Sequence, residues 1–250
     1  MINIERIKNT NQTIWRYMNL WKFESMLQDN GCLYFTRSDM FADKLEGKYS
    51  DITLKNLKEK YLELHGEIFV ENWKRLYYSK NDYIDAVRRN SFVSCWHIND
   101  YENKDMWKSY TSEKESIVIK SSIEKIYKAL NIPNNNSFNI DIGEVEYVDF
   151  HNTTLEYKND ILEPLFFKDN EYKDEQELRV IVWKRPQNNI LNTDLNNFNI
   201  SQGGLLKIDL DILIDEIYTS PNSSDDFVEK IRSLIPDKLK DKVKESQCKI

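Results

Sequence analysis

The stretch YKDEQELRVIVW, residues 172–183, decides how the chain is read. As an extended strand it alternates: Glu175, Glu177 and Arg179 point one way, and Leu178, Val180 and Val182 point the other. A polar face of this kind serves solubility or protects a sheet edge, and a cross-strand Lys opposite Glu177 would complete it. The same face gains chemical meaning if distant segments bring complementary groups to it.

Two segments offer such groups. In IWRYMN (14–19), Arg16 lies on a strand directly before a helix, between Trp15 and Tyr17. An Arg at such a turn holds a phosphate bidentately, or it packs over its aromatic neighbours. In FVSCWHINDYENKDMWKSYTSEKESIVIK (92–120), an apolar strand carrying Ser94 precedes a polar loop, a short helix with Trp107 and Tyr110, and a second apolar strand. Trp96 falls in the same unit. Aromatic rings stack on nicotinamide or adenine, and equally they fill cores. No GxSxG turn surrounds Ser94, which speaks against a serine hydrolase.

Around these segments the pattern is mixed. Strands are expected at 13–18, 32–36, 92–97, 116–121, 144–150, 205–210 and 216–220. Helices are expected at 20–31, with Gly31 as the stop, at 102–110, at 123–130, at 155–168 and over a closing region at 223–246. A long amphipathic stretch at 52–78 and a helix at 81–90 read as a helical insertion over about 52–90. Strict strand–helix alternation is lacking, so the expectation is one α+β domain over residues 1–250 with mixed or antiparallel sheets.

Composition narrows the field. The chain has 250 residues, 40% of them hydrophobic, enough for a sizeable core. A net charge of −7 argues against broad attraction to nucleic acid or anionic membrane. No apolar run approaches the roughly 20 residues that span a bilayer. MINIERIKNTNQ has no apolar signal core, so a cytoplasmic home is expected. Cys32, Cys95 and Cys248 are too scattered for a disulfide framework, and His65, His97 and His151 share no ligand spacing, so no metal is expected. The Asn-rich runs at 131–136 and 196–199 read as loops.

The runs LYFTRSDMFADKLEG, SCWHINDYENKDMWKSY and KDNEYKDEQELR resemble the bacterial family catalogued as domain of unknown function 2971, over about residues 14–221. More distantly, the order of elements resembles the ADP-ribosyltransferase superfamily, in its Arg-Ser-Glu class. That resemblance implies a split, mixed or antiparallel β-sheet core with peripheral helices. It implies NAD as substrate, Arg16 in the NAD-binding position, Ser94 on the middle strand and Glu177 as the catalytic carboxylate, with Glu175 completing Glu-x-Glu. Trp96 and Tyr110 would also face NAD, and Arg37 in LYFTR is a rival for the Arg role. The strand reads Val93-Ser94-Cys95 and lacks the Ser-Thr-Ser run common in that class. A toxin or defence setting is one in which such domains occur.

The implied chemistry gives Glu175-x-Glu177 a purpose. Breaking the nicotinamide–ribose bond passes through an oxocarbenium-like state, as glycoside cleavage does. A carboxylate beside the ribose stabilises the developing charge. Glu175 would orient or deprotonate an acceptor, which is a protein, a nucleic acid or water. Arg179 would moderate the repulsion between the carboxylates, and Ser94 would support the nicotinamide amide or position Glu177. Lys168 and Tyr172 either hold the Glu strand in place or face substrate. Two other classes remain: a binding module that keeps the fold without catalysis, and a metal-dependent nucleic-acid enzyme using Glu175, Glu177 and Asp43 or Glu46. Asp43 and Glu46 otherwise cap a helix or order a loop.

Overall fold

A computed structural model describes residues 2–43, 45–66, 84–111, 115–133, 138–155, 160–183, 202–221 and 223–248. The architecture is α+β, an open, mostly antiparallel sheet with helices packed on it. The strands are β1 (Ile2–Arg6), β2 (Thr13–Asn19), β3 (Cys32–Arg37), β4 (Ser91–Ile98), β5 (Ser116–Ser122), β6 (Asn139–Glu144), β7 (Glu146–Val148), β8 (Phe167–Asp169), β9 (Glu177–Trp183), β10 (Gly203–Lys207), β11 (Glu216–Thr219) and β12 (Val243–Glu245). The main sheet runs β1-β6-β9-β4-β2-β5-β11-β12, with β3 on β4 and β10 on β3. Only the outer ladders, β1 on β6 and β11 on β12, are parallel, and β7 and β8 form a separate parallel pair.

Strand β4 is where the sheet forks. One edge pairs with β9 along its length, from Ser91 opposite Trp183 to His97 opposite Glu177. The other edge is shared. Its end pairs with β2, Trp15 opposite His97 and Ile14 opposite Ile98, while its start pairs with β3, Arg37 opposite Phe92 and Thr36 opposite Val93. Among the described residues, Ser94, Cys95 and Trp96 have no ladder partner on that edge.

Helix α1 (Leu20–Leu27) connects the two branches. It buries Leu20, Phe23 and Met26 at helical spacing. The chain then turns through Asp29 and Asn30, both at positive φ, into Gly31 at φ 118°. A Cβ at Gly31 would lie 2.7 Å from the Ile208 carbonyl oxygen, so both conformation and space call for glycine. Helices α2 (Asp51–His65), α3 (Lys104–Tyr110), α4 (Ile123–Leu130), α5 (Leu210–Leu213), α6 (Asp225–Leu234) and α7 (Asp237–Lys240) follow. Ser122 caps α4 by accepting from the Lys125 N–H at 3.3 Å. The α4 residues Ile123, Ile126, Ala129 and Leu130 are buried on one main core with Phe23, Ile119, Leu178, Val180 and Ile231. On the other face of β4 and β9, Val93 and Ile181 pack with Leu165 and Phe166.

Several expectations need correction. The expected strand at 172–183 begins only at Glu177, because 170–175 form a 3₁₀ helix and Gln176 takes a left-handed φ of 40°. The expected helix at 155–168 is instead a 3₁₀ turn at Glu163–Phe166 leading into β8, with 156–159 outside the described residues. The strand expected at 144–150 is the end of β6 and the short β7. The closing helical segment ends in β12 rather than in helix. Of the helical insertion, 51–65 and 84–89 are helical, and 67–83 lie outside the described residues. The Asn-rich run at 196–199 lies outside them too. Among the described residues, no helix is long and apolar enough to cross a membrane.

Candidate functional site

Along β9 the alternation holds from Glu177 onward. Leu178, Val180 and Val182 join the main core, while Glu177, Arg179 and Ile181 face the other way. That other face is not solvated. β9 is an interior strand between β4 and β6, and Glu177 and Arg179 are 5% and 1% exposed. Charges removed from water to this degree must be paired, and they are.

The Arg179 guanidinium donates from Nε to Glu177 Oε1 at 2.9 Å and from Nη2 to Glu177 Oε2 at 3.0 Å. It also donates from Nη2 to Glu46 Oε2 at 3.1 Å and from Nη1 to the Leu165 carbonyl oxygen at 2.6 Å. Lys168 joins from β8, its Nζ lying 3.1 Å from Glu46, 2.6 Å from Glu175 and 3.4 Å from Glu177. Three carboxylates thus meet two cations in one buried cluster. Burial alone would push the Glu177 carboxyl up; the Arg179 charge and hydrogen bonds, with Lys168, outweigh it and hold the group down at about 2. Burial opposes charge on Lys168 and Arg179 as well, and the carboxylates raise both above their usual values.

Glu175 reaches this cluster from the 3₁₀ helix, not from the strand, and its side chain is 24% exposed. Its backbone is held by His97, whose Nδ1 lies 2.6 Å from the Glu175 carbonyl oxygen. The Nε2 of His97 lies 3.3 Å from the side-chain amides of both Asn99 and Asn103. Amide N–H groups donating to Nε2 leave the proton on Nδ1, where it donates to Glu175. Burial lowers the His97 pKa, which favours this neutral form. The Glu177 N–H in turn donates to the Tyr147 hydroxyl at 2.8 Å.

The second centre is Arg16. Its guanidinium donates to the Ser94 hydroxyl and, at 3.3 Å, to the Tyr34 carbonyl oxygen, and it lies 5.5 Å from the Trp96 ring centre. It therefore spans the fork, from β2 to β3 across the unpaired edge of β4. Burial lowers its pKa to about 10, which leaves it protonated at neutral pH. Ser94 also accepts from Trp96 Nε1 at 3.2 Å. By strand alternation Ser94 and Glu177 lie on opposite faces, so the hydroxyl orients Arg16 and Trp96 instead of Glu177.

A cavity of about 470 Å³ opens at the fork, and Arg16, Trp96, Tyr110, Glu175 and Glu177 all line it. Residues from both faces of the sheet reach one space because the cavity runs past the free edge of β4 at residues 94–96. Cys95 and His97 line it from the Glu177 face, and Tyr17, Trp21, Lys22 and Phe41 complete much of the wall. Burial, with the Glu177 charge next, pushes the Cys95 thiol well up, so it is a neutral group there. Burial, with the Glu175 charge next, raises the Tyr110 hydroxyl too.

Other expected site residues lie elsewhere. Ser94 and Lys168 stand behind the cavity wall, buried, and so does Arg179. Arg37 forms a fork with Asp39, Nε to Oδ1 at 2.6 Å and Nη2 to Oδ2 at 3.2 Å, and it does not line the cavity. Tyr172 lies 4.7 Å beneath the Lys168 ammonium and also stands off the cavity. Asp43 accepts from the Leu45 N–H at 2.8 Å and orders the loop, whereas Glu46 enters the buried cluster. Sequence reasoning passes over His97, Cys95, Trp21 and Lys22. The alternation of β4 puts Cys95 and His97 on one face, but only the β4–β9 register sets that face against Glu177. Neither a family model, nor a curated protein, nor a solved structure matches the chain.

Proposed function

We propose that the chain is an NAD-consuming enzyme of ADP-ribosyltransferase type, built on a split-sheet core, with an acceptor hydroxyl, amine or water still to be identified. The resemblance to the domain of unknown function 2971 family belongs to the same proposal. The observation that carries the reading is the single cavity lined by Arg16, Trp96, Glu175 and Glu177, residues that are far apart in sequence. Its volume of about 470 Å³ falls in the usual range for small-molecule sites.

The roles follow from the geometry. Arg16 commits donors to Ser94 and Tyr34 and keeps others for a phosphate, held in place by its position over Trp96. Glu177, held at about 2, is ionised at any working pH, so it acts as a fixed negative charge beside a developing oxocarbenium and not as a proton carrier. Its two oxygens already face Arg179 and Lys168. Glu175 is more exposed and meets the single cation Lys168, so it supplies the carboxylate that touches the acceptor. The bond between nicotinamide and the ribose C1′ breaks, its electron pair leaves with the neutral nicotinamide, and the acceptor oxygen or nitrogen closes on C1′ while Glu175 receives its proton.

The test is nicotinamide release from NAD by the purified chain, with and without candidate acceptors. Glu175→Gln and Glu177→Gln should each slow release on the order of a hundredfold. No consumption of NAD with any acceptor sinks the reading. A second reading, a non-catalytic binding module on the same fold, is favoured by the engagement of both Glu177 oxygens. It predicts ligand binding without release of nicotinamide, whatever stands at position 177.

A further inference from the structure

Two cations that line the cavity, Arg16 and Lys22, meet no carboxylate among the described residues. Among the described residues, Arg16 donates hydrogen bonds to neutral oxygens, those of Ser94 and Tyr34. Lys22, on the first turn of α1, is exposed, and its ammonium lies 5.4 Å from the Trp21 ring centre. The two cations are near enough to repel: beyond burial, the charge that acts on Lys22 is that of Arg16, and both lower its pKa. The first turn of α1 contains no acidic residue to offset them, and its aligned peptide dipoles add positive potential at the same end. Trp21, 59% exposed, and Tyr34, 45% exposed, flank the pair on the cavity wall.

Like charges that line one cavity are stabilised by an anion that bridges them, and an exposed indole on the same wall offers a flat apolar surface to a base. Resting on the dinucleotide reading of the same cavity, we propose that Lys22 and Trp21 form the nucleoside-diphosphate end of the site. Phosphate oxygens sit between Lys22 and Arg16, and the purine stacks on Trp21. Glu175 and Glu177, which line the same cavity, are then left to the nicotinamide–ribose end of the dinucleotide.

Calorimetric titration with ADP and with inorganic pyrophosphate tests this on the purified chain. Lys22 and Trp21 are exposed, so their variants retain the fold. The wild-type chain should bind ADP more tightly than pyrophosphate. Lys22→Ala should weaken ADP on the order of tenfold, and Lys22→Arg should restore most of the loss. Trp21→Ala should bring ADP down to the affinity of pyrophosphate. Unchanged ADP affinity in either alanine variant, or no ADP binding by the wild type, overturns the proposal. ADP binding that follows this pattern without nicotinamide release leaves the subsite standing while the catalytic reading fails; NAD turnover with Lys22→Ala and Trp21→Ala binding ADP normally does the reverse.

Discussion

Glu177→Gln removes one charge from the buried cluster while keeping the side-chain volume, and the structure sets its size. The folded chain holds this carboxyl at about 2, against an ordinary 4.5, a gap of about 2.5. At about 1.4 kcal/mol per pH unit, the ionised form is favoured in the fold by about 3 kcal/mol. The folded value is the lower one, so this stability is fully present above pH 4.5 and disappears as pH falls through about 2. At pH 3 about 1 kcal/mol should remain. The variant should still fold, because Glu46 and Glu175 then balance Lys168 and Arg179, and no buried charge is stranded. Urea unfolding followed by tryptophan fluorescence at pH 7 and pH 3 measures both numbers. A difference below about 1 kcal/mol at pH 7, or one that does not shrink on acidification, would refute the claim that Arg179 and Lys168 hold this carboxylate.

Lys168→Met leaves Glu175 without its cation and Glu46 and Glu177 with Arg179 alone, so it should cost more than Glu177→Gln, about 3–5 kcal/mol, in the same urea assay. Gly31→Ala meets both a forbidden φ and the Ile208 carbonyl, and should lower the thermal midpoint by several degrees, about 2 kcal/mol or more, whereas Gly66→Ala, with open space around it, should cost less. Cys95, its thiol kept neutral by burial, should react with iodoacetamide at pH 8 far more slowly in the native chain than in urea; equal rates would place it in water.

Much of the sheet is legible in the sequence. TIWRYM, CLYFT, FVSCWH and SIVIKS each form the expected strands, and 123–130 forms the expected helix, α4. The apolar stripe Leu178, Val180 and Val182 is also where its period places it. The polar stripe misleads, because a period of two separates faces without saying whether either meets water. Only the placement of β9 between β4 and β6 shows that Glu177 and Arg179 are buried. Glu175 falls out of the strand through the single left-handed residue Gln176, and glutamine carries no signal for that conformation. β1 and most of β6 go unread: INIER is short, and NIDIG follows an Asn-rich run that looks like loop. Arg16, Trp96 and Glu177, singled out in the sequence, line one cavity in the structure. Lys22 and Trp21 are not singled out, since a charged and an aromatic residue opening a helix are ordinary until the cavity behind them is seen.

The parallel ladder of β1 on β6 sets an order of assembly. Ile2 pairs with Ile140, so this strand has nothing to dock against until the residues of β6 have left the ribosome and β9, which flanks β6 on its other side, has come into place. Closing so large a loop carries an entropic cost that slows the pairing. β1 therefore waits on later parts of the chain, and until it is seated the β6 edge is open to strands from other chains.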